Sequence, residues 1–326
     1  MDTVKIGIIG TGWIAEKMAI TLEGMEGVEA YAVASRQLQT ACDFADRWGF
    51  TRAYGSYEEM LDDEEVELVY IATPHSHHFE HARMSLLKGK AVLCEKAFTA
   101  NARQAEELLN LAKEKELFIT EAIWTRYMPL SHTINDLVTS GIIGRPMTLS
   151  ANLGYPIGNR ERLRQPALAG GALLDLGVYA LNFASMVFGT DVERVTSTCV
   201  KTDTGVDAQN SITLTFKDGK IAVLHSSMLS MTDRQGIISG DKGHLIIENI
   251  NNPQRIRVVT EDYKTAVVYN CPPQITGYEY QVYASMEALR NGWLESPYMP
   301  HAETLRIMRM MDDLRREWGV RYPADE

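Results

Sequence analysis

The chain has 326 residues, 45% of them hydrophobic, with 43 acidic against 32 basic side chains and a formal charge of -11 at pH 7. That length and apolar content supply two ordinary domain cores and exclude a disordered or fibrous chain. The acidic balance excludes a nucleic-acid surface, which needs clustered Lys and Arg facing phosphates.

Residues 4–9 form the first expected strand, which breaks into Gly10-x-Gly12-x-x-Ala15 and continues through Trp13 and Ile14 as a helical pattern. A dinucleotide fits such a turn. Gly10 allows the tight turn, Gly12 leaves room for the pyrophosphate, and Ala15 lets the helix lie close to the sheet. The helix N-terminus offers N–H groups and partial positive charge to the phosphates. A second strand, 28–34, ends at Ser35-Arg36, where a cofactor with a free 2′-hydroxyl meets Asp or Glu. Ser and Arg donate to a 2′-phosphate that a carboxylate repels, so the pair favours NADP over NAD. The alternative for Arg36 is an ordinary solvated residue at a helix start.

Further strands are expected at 66–72, 91–95 and 118–120, with helical patterns between them. Ser56-Tyr-Glu-Glu59 is a capping box, and Asn101 with Gln104 opens a helix carrying Ala105, Leu108, Leu109 and Ala112 on one face. This alternation predicts an α/β domain over residues 1–122, a Rossmann doubly wound parallel sheet with its ligand at the strand carboxyl ends. After about residue 124 the rhythm changes. Helices around 130–139 and 173–188 flank a strand near 146–153. Then Ile212, Leu214 and Phe216 alternate with polar residues, Asp218-Gly219 turns the chain, and Ile221 and Val223 return. A meander follows to about 268, and helices near 278–291 and 302–318 close the chain. Residues 123–326 therefore read as one α+β domain on a largely antiparallel open sheet.

The four cysteines, Cys42, Cys94, Cys199 and Cys271, have neither a disulfide-framework nor a zinc-site spacing. The first residues lack the basic and apolar regions of a secretion signal, and no apolar run approaches membrane-spanning length. A cytoplasmic protein with no membrane partner is expected. The basic cluster Arg160-Glu-Arg162-Leu-Arg164 reads as a solvated loop in preference to an anion site, while the nearby Gly170-Gly171 leaves a substrate or subunit contact open.

Four stretches place polar residues at strand ends or helix starts: Ala72-Thr-Pro-His-Ser-His-His78, Cys94-Glu95-Lys96-Ala97, Glu121-Ala-Ile-Trp124 and Gly170-Gly-Ala-Leu-Leu-Asp175-Leu-Gly-Val-Tyr179. The first three leave the same sheet edge as the nicotinamide end of a bound dinucleotide. Lys96 follows an apolar strand and can transfer a proton there; the alternative is a surface lysine in a loop. Glu95 points to the opposite side. Asp175 and Tyr179, four apart on a helix, share a face and can orient one ligand. His75, His77, His78 and His81 lack the carboxylate of a zinc-hydrolase motif, so no metal is expected. At a helix N-terminus His78 stays neutral and can hydrogen-bond a substrate hydroxyl.

Taken together, the glycine turn, Ala-Thr-Pro-x-x-x-His, Glu-Lys and Gly-Gly-Ala-Leu-Leu-Asp-Leu-Gly resemble, in order and over nearly the whole chain, the Gfo/Idh/MocA family of NAD(P)-dependent oxidoreductases. The resemblance implies a Rossmann domain, then an α/β domain whose open sheet makes a homodimer or higher homo-oligomer. It implies hydride transfer between the cofactor and a hydroxyl-bearing carbon of a sugar, polyol or cyclic diol. By the same resemblance Lys96, Tyr179, Asp175 and His78 are catalytic, and Gly10, Gly12, Trp13, Ile14, Ser35, Arg36, Thr73, Pro74, His75, Glu95 and Lys96 hold the cofactor. Trp124, Asp175 and Tyr179 hold the substrate. Ala97 stands where a proline commonly follows Glu-Lys, and His75 where Asn is frequent after Thr-Pro. The segment Glu121-Ala-Ile-Trp-Thr-Arg-Tyr-Met-Pro and the use of Tyr179 look most like the dihydrodiol dehydrogenase and D-xylose dehydrogenase branch, which prefers NADP. The rival from another class is a dinucleotide sensor or transcriptional regulator that performs no chemistry.

Overall fold

The computed structural model describes residues 3–326 and divides into two compact units, the first made of residues up to 123 with 274–309 and the second of 124–273 with 310–326. Each is built from its own sheet.

In the first unit six strands pair in parallel: β1 (Val4–Ile9), β2 (Val28–Ala34), β3 (Arg52–Tyr54), β4 (Leu68–Ile71), β5 (Ala91–Glu95) and β6 (Ile119–Ala122). Their order in the sheet is β3-β2-β1-β4-β5-β6. The direction of winding therefore switches between β1 and β4, where the carboxyl ends of such strands receive ligands. Helices α1 (Trp13–Glu23), α2 (Leu38–Trp48), α3 (Tyr57–Leu61), α4 (His75–Leu87) and α5 (Ala102–Lys115) connect the strands. Strands β4, β5 and β6 are buried along their whole length, the result of covering both faces of a parallel sheet and the reason they read as continuous apolar runs. The Ser56 hydroxyl accepts the Glu59 N–H and the Asn101 amide oxygen accepts the Gln104 N–H, as the capping patterns predict. Strand β3 had no apolar signal, being three residues of an exposed or half-buried edge.

In the second unit, α6 (Pro129–Thr139), β7 (Pro146–Gly154), the short α7 (Glu161–Arg164) and a π-helical turn, Leu173–Gly177, precede α8 (Val178–Phe188). Seven more strands follow: β8 (Val192–Lys201), β9 (Asp207–Phe216), β10 (Ile221–Ser227), β11 (Gly236–Gly240), β12 (Gly243–Glu248), β13 (Arg255–Thr260) and β14 (Thr265–Asn270). The sheet runs β14-β13-β12-β11-β7-β10-β9-β8, and only β7 with β10 is parallel. Ile212, Leu214, Phe216, Ala222 and Leu224 are buried on the inner face, which packs against α8. Ile221 and Val223, paired with Thr215 and Thr213, stand exposed on the outer face. One expectation is corrected. Residues Pro166–Phe188 are long and apolar enough to cross a membrane, but most of that span is buried inside the unit as a core element.

The chain passes from the first unit to the second after residue 123, returns after 273 and leaves again after 309. Helix α9 (Glu279–Asn291) and the first part of α10 (His301–Trp318) return to the first unit. Val282, Met286 and Ala288 of α9 join Val4, Ile6, Leu68 and Leu93 in one core cluster. The segment between the two helices covers the open edge of β6: the Ile119 N–H donates to the Leu294 carbonyl at 3.1 Å and His301 Nε2 meets the Ile119 carbonyl at 2.9 Å. An unpaired strand edge is thereby closed.

Candidate active site

The glycine turn fits a dinucleotide. Gly10 has φ +104°, and a side-chain carbon there would lie 3.0 Å from the Ala72 carbonyl, so glycine is required. At Gly12 an added carbon meets nothing within 4 Å. Gly12 caps α1 with no side-chain hydrogen bond, which leaves the first N–H groups of the helix to a ligand. Trp13 is exposed and Ile14 half-buried beside this turn. At the end of β2, Ser35 is half-buried and Arg36 exposed, with Arg36 in electrostatic reach of Tyr57 and His81.

At the end of β5 the Lys96 turn is fixed from three sides. The Lys96 N–H donates to Glu95 Oε2 at 3.3 Å, His78 Nδ1 contacts the Ala97 carbonyl at 2.8 Å, and the Phe98 N–H donates to Glu121 Oε1 at 3.1 Å. The Lys96–Ala97 peptide is cis. Glu95, expected at the cofactor, is buried, and its other oxygen accepts the Tyr70 hydroxyl from β4. Glu95 and Glu121 thus orient the lysine turn, and Lys96 itself is half-buried.

The histidines do different work from that expected. His78 is 1% exposed, and its second nitrogen, Nε2, contacts the Thr73 carbonyl at 2.8 Å. Both nitrogens therefore face backbone carbonyls and neither faces a substrate hydroxyl; the neutral ring has one N–H, so it donates to one of the Thr73 and Ala97 carbonyls and only abuts the other. Burial pushes His78 down to about 4, which keeps the ring neutral at pH 7 against two carbonyls that favour its protonated form. His81 is also pushed down to about 4, chiefly by burial, and its Nδ1 meets the Thr73 hydroxyl at 3.0 Å. His75 is buried with its ring edge-on to His78.

In the second unit a short 3-10 turn, Trp124–Tyr127, faces α8. The Trp124 indole N–H donates to the Tyr179 phenol oxygen at 2.9 Å, with both side chains buried. Arg126 Nε donates to Asn182 Oδ1 at 2.6 Å, and a second Arg126 nitrogen donates to the Ser185 hydroxyl at 3.3 Å, locking the turn to the helix. Trp124, expected to stack on a substrate, gives its polar edge to Tyr179.

Asp175 sits in the π-helical turn and accepts Arg162 at 3.1 Å. Sequence reasoning assigned Arg162 to a solvated loop. The alternative left open by the glycine pair, a contact near the substrate, is the one that the Arg162–Asp175 pairing supports. A side-chain carbon at Gly170 would lie 2.5 Å from the Leu163 carbonyl and 2.8 Å from that of Arg162, so only glycine lets α7 lie against the turn. Asp175 therefore offers an acceptor beside a guanidinium donor, a pairing suited to a polyhydroxylated ligand. Among the described residues no group of three or more His, Cys, Asp or Glu side chains gathers as metal ligands.

Comparison with known proteins agrees with this geometry. Residues 4–122 match the oxidoreductase family with an NAD-binding Rossmann fold, and residues 131–246 match the GFO/IDH/MocA C-terminal domain. The chain is 33% identical to a trans-1,2-dihydrobenzene-1,2-diol dehydrogenase of Mus musculus, over 99% of each chain. It is 35% identical to a D-xylose 1-dehydrogenase (NADP(+)) of Hypocrea jecorina, over 98% of this chain and 93% of the other. Among solved structures, a 3-ketoreductase from Actinomadura kijaniata in complex with NADP and TDP-benzene superposes with a TM-score of 0.88 at 26% identity, covering 97% of this chain and 98% of that one.

Proposed function

This chain belongs to the GFO/IDH/MocA oxidoreductase family, and we propose that it is an NADP-linked dehydrogenase or reductase acting on a hydroxyl-bearing carbon of a sugar, polyol or cyclic diol. The observation that carries the reading is the clamped Lys96 turn at the carboxyl end of β5, two strands from the open glycine turn of β1.

A bound nicotinamide supplies the hydride chemistry. The chain supplies binding, orientation and proton management. Gly10, Gly12, Trp13, Ile14 and the N-terminus of α1 take the pyrophosphate side, while Thr73, Pro74 and His75 line the βα turn at the switch in strand order. Ser35 and Arg36 donate to a 2′-phosphate, which favours NADP over NAD. The printed cofactor of the xylose dehydrogenase and the NADP in the ketoreductase complex support that preference.

Lys96 binds and polarises the reacting oxygen, and Tyr179 exchanges its proton. Asp175, paired with Arg162, holds a neighbouring hydroxyl. His78 positions the Ala97 carbonyl and through it the lysine turn. The relatives described above are all enzymes, and none supports the rival reading of a sensor without chemistry. Val200, Ile221 and Val223, exposed on β8 and β10, favour a homo-oligomer formed through the open sheet.

A panel of aldoses, polyols and trans-diols, offered with NADP and NAD and read by the absorbance of the reduced nicotinamide, tests the activity. Turnover with at least one substrate class, lost in Lys96→Met while NADPH still binds, is the expected result. Tight NADPH binding without turnover on any member of the panel, or near-normal turnover in the variant, would overturn it.

A further inference from the structure

The Gly170–Leu173 turn that leads into the Asp175 segment is held at both ends by buried polar groups outside the site just described. At one end, the Tyr322 hydroxyl donates to the Gly170 carbonyl at 2.5 Å. At the other, the Asp207 carboxylate accepts the Leu173 N–H at 2.7 Å and the Asn210 side-chain amide at 2.9 Å. Asp207 is fully buried in β9, and its second oxygen, Oδ1, has no hydrogen-bond partner. A side-chain carbon at Gly171, whose φ is +120°, would stand 2.3 Å from that oxygen. The turn is therefore shaped around the carboxylate.

The cluster continues behind these two contacts. Asn210 Oδ1 accepts the Ser226 hydroxyl at 2.7 Å, and Ser226 Oγ would lie 3.2 Å from a carbon added at Gly177, the last residue of the π-helical turn. Arg315, 3% exposed, lies over the Tyr322 ring at 4.3 Å and pairs with Asp312 and Asp325, each at 2.7 Å. Arg315 and Tyr322 are also the charged and titratable neighbours of Asp207, with Cys199 on the adjoining strand. A buried unpaired oxygen is costly to keep. Its retention opposite a glycine needs a reason beyond packing, which an apolar side chain would satisfy better.

We propose that Asp207 and Tyr322 are positioning residues for the reaction, a two-point clamp that fixes the turn presenting Asp175 and Tyr179 to the substrate. The inference rests on the reading of Asp175 and Tyr179 given above. Neither clamp residue touches substrate; each acts by fixing the backbone from which the substrate-facing side chains project. Small errors in such placement cost rate heavily.

The test compares Asp207→Ala, Asp207→Asn and Tyr322→Phe in the full chain. Asp207→Ala removes the acceptor, and kcat/KM is expected to fall about tenfold or more with NADPH affinity unchanged. Asp207→Asn keeps an acceptor for the Leu173 N–H and is expected to restore kcat/KM to within about threefold of the parent. Tyr322→Phe loses one hydrogen bond and is expected to cost about threefold to tenfold. Hydrogen exchange should show faster exchange at Leu173 and through the π-helical turn in the alanine variant alone or most strongly. Parent-like kcat/KM in both Asp207→Ala and Tyr322→Phe, or an asparagine variant as impaired as the alanine, would overturn the proposal. Asp175→Asn and Tyr179→Phe, assayed alongside, separate the two ideas. If they keep full turnover, the site reading falls, while unchanged exchange in Asp207→Ala removes the clamp itself.

Discussion

The indole N–H of Trp124 donates to the phenol oxygen of Tyr179 across 2.9 Å, and both rings are buried. Indole nitrogen is a donor only, so in this bond the phenol oxygen accepts and its own proton is directed away from the indole. A phenol held this way is oriented as a proton donor, which suits the reduction of a carbonyl. Arg126 fixes the geometry by bonding Asn182 and Ser185 one and two turns further along α8.

Trp124→Phe preserves most of the apolar volume and removes the donor. Loss of one such hydrogen bond is worth about 0.5–1.5 kcal/mol. The expected outcome is a fall in kcat of about twofold to tenfold, with NADPH affinity unchanged. Steady-state kinetics with saturating cofactor checks it. A changed KM with parent-like kcat would instead assign the indole to ground-state substrate binding.

Arg36 is exposed at the end of β2, beside the half-buried Ser35. A charge-assisted contact to a 2′-phosphate contributes about 1.5–3 kcal/mol, so Arg36→Asp is expected to weaken NADPH binding by about tenfold to a hundredfold. NADH affinity should hold or improve, since a carboxylate can accept the ribose hydroxyls. Isothermal titration of both nucleotides against parent and variant reads this directly. Equal loss for the two nucleotides would remove Arg36 from the choice of cofactor.

Much of the first unit was legible because its signals are local. The strand β1, the glycine turn and the caps at Ser56 and Asn101 each depend on residues within a few positions, and all fall where the patterns predict. The return of α9 to the Rossmann unit was not legible, because Val282 and Met286 mark a helix face without naming the core it joins. For the site, Lys96 at the end of β5 could be found from order along the chain. His78 could not be separated from a ligand-binding histidine, since the two carbonyls it faces are backbone groups that any sequence supplies. Arg162 and Asp207 meet the Asp175 segment through contacts across 13 and 34 residues, which no periodicity reports.

Arg162 is partly exposed and Asp175 is buried, so their ion pair is screened on one side and contributes modestly to folding. Its larger effect is on ligand binding, because the pair sets one donor and one acceptor side by side. Arg162→Gln is expected to raise KM about threefold to thirtyfold with kcat within about twofold, while Asp175→Asn lowers kcat/KM about tenfold or more. A parent-like KM in Arg162→Gln across the substrate panel would show that the guanidinium only shields Asp175.

Burial shifts His78 and Asp207 in opposite directions, and their effects on stability have opposite pH dependence. His78 is held down at about 4 from an ordinary 6.5, so between those values the folded state binds fewer protons than the unfolded one. Stability is lost as pH falls through that window, by about 3 kcal/mol at most. Asp207 is held up at about 6 from an ordinary 3.8, so there the folded state binds more protons. Its burial lowers stability as pH rises through that window, again by about 3 kcal/mol at most. Asp207→Asn removes the second effect and leaves the first. Its melting midpoint relative to the parent is therefore expected to climb between about pH 4 and about pH 7 and then to level off. Scanning calorimetry of both proteins across that range measures the difference. A gap that does not change with pH would mean that the residue 207 carboxyl titrates alike in the folded and unfolded chain, and that burial does not hold its proton on.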